Sequence, residues 1–141
     1  MAKLFTAALI ISFSVPLLLA HDDWEKTRSI AEAQHEIVML LIKNKQYDKV
    51  LPASKKILTL NFPLNREHQL VDHARLASSA LGEQGNYTLA HQLLDEALKA
   101  VHNKKSKATL FKEKALLCSK NGQDGQAMKF LEEAVKLEEN P

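Results

Sequence analysis

Apolar residues return along this chain at intervals of three and four, with polar residues between them on the opposite side, which is the pattern of amphipathic helices. From Trp24 to Lys43 the positions Ile30, Ile37, Val38 and Leu41, with Ala31 and Ala33 between, set the period until Asn44, Lys45 and Gln46 interrupt it. A second helix is predicted from Tyr47 to Leu60 on Val50, Leu51, Ile57 and Leu58, and Pro52 sits in its first turn, where a missing amide costs little. Pro63 disfavours helix at Phe62 and closes the pair. The third helix, Arg66 to Glu83, uses Leu70, Val71, Ala74, Ala77, Ser78 and Leu81, and it ends in the run Gly82 to Asn86. A fourth, Tyr87 to Val101, carries Ala90, Leu93, Leu94, Ala97 and Leu98. The fifth, Ser106 to Ser119, buries Leu110, Phe111, Ala115 and Cys118, and the sixth, after Gly122 to Asp124, carries Ala127, Met128, Leu131, Ala134, Val135 and Leu137. No stretch alternates with period two long enough for a strand, so the predicted class is all-α.

The six helices fall into three pairs that superpose by their turns: Lys45-Gln46-Tyr47, Gly85-Asn86-Tyr87 and Gly122-Gln123-Asp124. From Lys45 to Gly85 is 40 residues, and from Gly85 to Gly122 is 37. The residues after each turn keep one spacing, with Val50 and Ile57, Ala90 and Ala97, Ala127 and Ala134 in register. On these residues the chain resembles the tetratricopeptide repeat (TPR) family, whose unit is a helix–turn–helix of about 34 residues. The resemblance covers residues 31–141 and is strongest in Gly85 to Ala90 and Gly122 to Val135. It implies antiparallel helix pairs stacked as a short right-handed α-solenoid, with units at about 31–63, 71–103 and 108–141. Small residues suit close helix crossings, and Ala90, Ala97, Ala127 and Ala134, with Ser78 and Ala115 before them, are read as those contacts. The first unit departs from the pattern, with Val38, Val50 and Ile57 where small residues are usual and Lys45 where glycine is usual.

Residues 1–20 are different in kind. Lys3 precedes an apolar run from Leu4 to Val15, Pro16 interrupts it, and Ala20 is followed at once by His21, Asp22 and Asp23. This is the layout of a secretory signal peptide cleaved after Ala20. A mature chain of residues 21–141 in the periplasm or outside the cell is the expectation, and no cysteine follows the leader to take a lipid.

Charge adds little: the formal net charge is +2, and losing Lys3 leaves +1, which implies no polyelectrolyte partner. Aromatic residues make up 6% of the chain, too few for a base-stacking surface, so nucleic acid is not an expected partner. Cys118 is the one cysteine, so no internal disulfide forms, and its apolar neighbours predict a buried, inert thiol with no histidine against it. The six histidines make no ligand set: His68 and His73 are five apart, on different faces of a helix, and His21 has no further ligands at a defined geometry. No cofactor and no metal are expected. Asn86-Tyr87-Thr88 fits a glycosylation sequon, but turn chemistry already explains the asparagine.

What the resemblance implies for function is binding in a groove lined by the first helix of each pair. The positions carried over are His35, Met39 and Ile42 in unit one, Asp72, Arg75 and Ser79 in unit two, and Thr109, Lys112, Leu116 and Ser119 in unit three. The expected activity is that of a non-catalytic scaffold holding a peptide or a partner protein. The alternative is a structural subunit or homo-oligomer of an envelope complex, which associates through a last helix that has no capping helix after it.

Overall fold

Every element in the computed structural model is helical among the described residues, whose backbone covers 2–140 and whose side chains cover 23–140. In chain order these are α1 (Ala2–Lys43), α2 (Tyr47–Leu58), α3 (His68–Glu83), α4 (Tyr87–Ala100), α5 (Lys104–Lys120) and α6 (Asp124–Glu139), with one 3-10 turn at Leu64–Arg66. The leader expected over residues 1–20 lies outside the described side chains. Among the described residues no helix is long and apolar enough to cross a membrane.

The three turns share one geometry. Lys45, Gly85 and Gly122 have φ of 56°, 78° and 74°. In each turn the next residue's N–H reaches five residues back, Gln46 to Leu41 at 2.9 Å, Asn86 to Leu81 at 2.9 Å and Gln123 to Cys118 at 2.8 Å. The left-handed residue itself bonds three back, to Ile42, Gly82 and Ser119 respectively. This double bond pattern is the Schellman ending, which satisfies carbonyls that the helix leaves open. Glycine adopts that conformation without cost, whereas lysine does not. Lys45→Gly is therefore expected to raise stability by about 1 kcal/mol and Gly85→Ala to lower it by about the same, both read from urea denaturation.

Each helix packs on its sequence neighbour within a pair, α1 on α2, α3 on α4 and α5 on α6, while α3 also meets α1 and α5, and α4 meets α2 and α5. The main core runs through the first two pairs and into α5, from Val38, Ile42 and Val50 through Leu81, Leu93 and Leu94 to Leu110 and Leu117. Ala90, Ala97 and Ala134 are wholly buried and Ala127 nearly so, which places small residues at the contacts as expected. Gly82 belongs with them, because a Cβ there would come within 2.8 Å of Leu117 Cδ2 across the α3–α5 contact. Two apolar positions assigned inward in α1 are corrected: Ile30 and Ile37 are 45% and 47% exposed, since among the described residues no other helix packs over that side of α1.

Several boundaries move for local reasons. α2 stops at Leu58, where Thr59 turns its hydroxyl back to the Lys55 carbonyl at 2.8 Å. α5 begins two residues before the predicted start, because Asn103 Oδ1 accepts from the Lys105 N–H at 2.8 Å and caps the helix there. The connection into α5 is tied to α3 by Glu67, whose buried Oε1 accepts from the N–H of His102 at 2.9 Å and of Asn103 at 2.8 Å. At the other end of the fold Trp24 meets Phe62 edge-on, centroids 5.7 Å apart, with the Arg66 guanidinium 5.4 Å from the indole centroid. These contacts anchor the described start of α1 to the loop between the first and second pairs.

Candidate functional site

The first helices of pairs two and three lie side by side, and the cleft between them is where most of the expected groove residues meet. Asp72, Arg75, Leu76 and Ser79 of α3 face Glu113 and Leu116 of α5 across a cavity of about 400 Å³. Arg75 crosses it, donating from Nε to Glu113 Oε1 at 2.9 Å, with Nη1 3.9 Å from Asp72 Oδ1. Asp72 and Arg75 also border a second cavity of about 330 Å³, which His68, Asn103, Lys105 and Thr109 line. Leu116 joins the first to a third of about 430 Å³ with Lys112, Ser119, Met128 and Leu131 around it. The cleft thus runs from a polar end of mixed charge, with Lys105 beside Glu67 and Asp72, past Arg75, to an apolar end at Leu116. Arg75 is about half exposed while Glu113 is mostly buried, so the guanidinium keeps an open side on which it can meet a further acidic group.

Unit one does not contribute as expected. Ile42 is corrected from groove to core: it is 1% exposed, and its equivalent in the next pair is Gly82, so this position serves the contact between pairs. Ser119, the third equivalent, is exposed, with no described helix packed over it. Met39 is half-buried against the core. His35 turns sideways to α3, with its Nδ1 2.8 Å from Nδ1 of His73, so that one ring donates and the other accepts. Nε2 of His73 in turn lies 3.3 Å from the buried hydroxyl of Ser54 on α2. Burial first, and the neighbouring His35 second, push the His73 imidazole down to about 4. Lys112 reaches away from α3 to pair with Glu138 of α6. Of the ten expected positions, Asp72, Arg75, Ser79 and Leu116 share one cavity, Thr109 extends it at the polar end, and Lys112 and Ser119 extend it at the apolar end.

A second cluster escaped the sequence reading. His91 Nε2 of α4 is 3.6 Å from Cys118 Sγ of α5, which corrects the expectation of a thiol without a histidine neighbour. Lys114, 8% exposed, pairs with Asp95 and stands 4.6 Å from the centroid of the Phe130 ring. The thiol is buried as expected, and burial raises it above its ordinary value, with Lys114 pulling the other way. His91 is lowered by burial and by Lys114, and Asp95 opposes the shift. Both members of the pair are thus neutral at neutral pH, an arrangement that packs well and activates nothing. The missed signal was spacing: Asp95 and Lys114, His91 and Cys118 recur four residues apart on facing helices that run in opposite directions.

No family model, curated protein or solved structure matches this chain. The resemblance to TPR proteins therefore rests on the turn residues and the small contact residues alone. Among the described residues, no three of His, Cys, Asp and Glu converge in a group that could hold a metal ion.

Proposed function

We propose that the chain is a non-catalytic protein-binding module of TPR-like build, its helix pairs stacked as a short right-handed α-solenoid. It works in the periplasm or outside the cell once residues 1–20 are removed, and it holds an extended peptide or a partner protein along the α3–α5 cleft. The observation that carries this reading is the continuity of that cleft, in which Arg75 and Leu116 link three cavities into one strip with a polar and an apolar end. An acidic residue of the ligand would meet the open side of Arg75, and an apolar one would seat on Leu76 and Leu116, which are 56% and 48% exposed. The neutral His91–Cys118 pair and the burial of Ser54 support a binding role over a catalytic one.

Selection from a displayed peptide library tests it. The chain is expected to enrich peptides that share an acidic and an apolar anchor. Arg75→Glu should weaken the best of them by about tenfold or more, as loss of a central arginine does. Lys99→Glu, on the far side of α4 and 74% exposed, should leave them unchanged. Enrichment no better than with the denatured chain would refute the reading. A second reading, as a subunit of an envelope assembly, is favoured by Met128, Leu131 and Val135, which lie exposed along one side of α6.

A further inference from the structure

Superposing the helix pairs by their left-handed residues, Lys45, Gly85 and Gly122, gives every position an equivalent in the other pairs. On that scale Ile37 and Leu40 of α1 match Ala77 and Ala80 of α3, and Lys114 and Leu117 of α5. Ala77, Lys114 and Leu117 are 0%, 8% and 4% exposed, packed against the pair before them, while Ile37 and Leu40 are 47% and 53% exposed. The second helices show the converse. Leu131 of α6 matches Leu94 of α4 and Ser54 of α2, both wholly buried beneath the next pair, yet it is 45% exposed, and its neighbours Met128 and Val135 are 60% and 48% exposed. The second helix of a pair thus covers the next pair, α2 against α4 and α4 against α5, and the first helix receives the pair before it. One receiving side and one covering side are left open at the two ends, and both are apolar, whereas terminal capping elements present a polar outer face.

We propose that a second copy of this chain closes them, with α6 of one copy lying antiparallel on α1 of the next in the register that α4 already keeps on α5. That register is set by His91 against Cys118 and by Asp95 against Lys114. Carried to the ends, it seats Leu131 between Ile37 and Leu41 and Val135 between Ala33 and Ile37. It also brings Asp124 beside Lys45, and Glu139 within one turn of Lys26, so opposite charges meet at both margins. The central Asp95–Lys114 pair has no counterpart, because Glu132 and Ile37 take those places. Since the two faces differ, the contact is head-to-tail and leaves a free face at each end, so further copies add without closing a dimer. The inference rests on the second reading above and shares Met128 and Leu131 with the apolar end of the cleft, whereas Ile37 lines none of the cleft's cavities, so the Ile37→Glu variant tests it apart from the groove.

The whole chain, expressed with its leader in place and purified as the cell delivers it, is followed by sedimentation equilibrium from micromolar to millimolar concentration. Its average mass is expected to rise past the dimer. Ile37→Glu spoils the receiving face and Leu131→Glu the covering face, so each variant alone should stay monomeric. Mixed in equal amounts, they should form a one-to-one pair and nothing larger, because each retains the face that the other lacks. Both side chains are about half exposed, and helical circular dichroism should be unchanged. Charge reversal gives a reading that needs no apolar substitution: Asp124→Lys should weaken association several-fold, and adding Lys45→Asp should restore it. A wild type that stays monomeric throughout, an Ile37→Glu variant that self-associates like the wild type, a mixture that remains monomeric, or a charge reversal without restoration would each overturn the proposal.

Discussion

Glu67→Ala should lower the stability of the fold by about 2 to 4 kcal/mol, the largest loss expected from any one polar side chain here. The carboxylate is 4% exposed and takes two backbone N–H groups, of His102 and Asn103, that nothing else satisfies. Removing it leaves two partly buried donors without an acceptor and releases the entry to α5, on which the polar end of the cleft depends. Glu67→Gln keeps one oxygen in place and should lose roughly half as much, since the charge assistance goes but the acceptor stays. Urea denaturation followed by circular dichroism measures both, and equal stability of the alanine variant and the wild type would show that the loop holds itself.

The second large effect is a loss of stability in mild acid. His73 is 4% exposed, and its folded pKa is lowered from 6.5 to about 4. Above pH 6.5 the imidazole is neutral in both states and nothing is lost. Between 6.5 and 4 the unfolded chain takes up a proton that the folded chain refuses, so stability falls by about 1.4 kcal/mol per pH unit, to a total near 3 kcal/mol. His91, lowered in the same sense, adds to the slope. His73→Gln should flatten the profile between pH 6.5 and 4 while costing some stability at neutral pH, where Ser54 and His35 lose a ring partner. A wild-type profile that is level across that window would show that the buried ring is protonated in place.

Helix number, order and most inward positions were legible in the sequence because each pair repeats the same apolar spacing and ends in the same turn. Lys45 is the instructive case: nothing about lysine announces a left-handed residue, and only its alignment with Gly85 and Gly122 does so. The cleft was half legible. Position-for-position transfer found Arg75, Asp72 and Leu116, but it treated the three units as alike, and the first unit packs its third position, Ile42, into the core. Contacts that depend on how far one pair is rotated on the next stayed hidden. His35 to His73 spans 38 residues and His91 to Cys118 spans 27, neither of which is a repeat length. Glu67 was invisible for another reason, since a carboxylate before a helix ordinarily serves its own N-terminus, and this one serves the next connection.

The indole of Trp24 is the only one in the chain, and it sits against Phe62 and Arg66, far from α5 and α6 in sequence and close to the expected leader junction. Its fluorescence is therefore a local signal in a molecule whose circular dichroism is a global one. In a row of helix pairs that contact only their neighbours, terminal units open before the middle. Emission from Trp24 should consequently shift to longer wavelength at lower denaturant than the loss of helix, which gives the stretch of α1 around Trp24 a melting curve of its own.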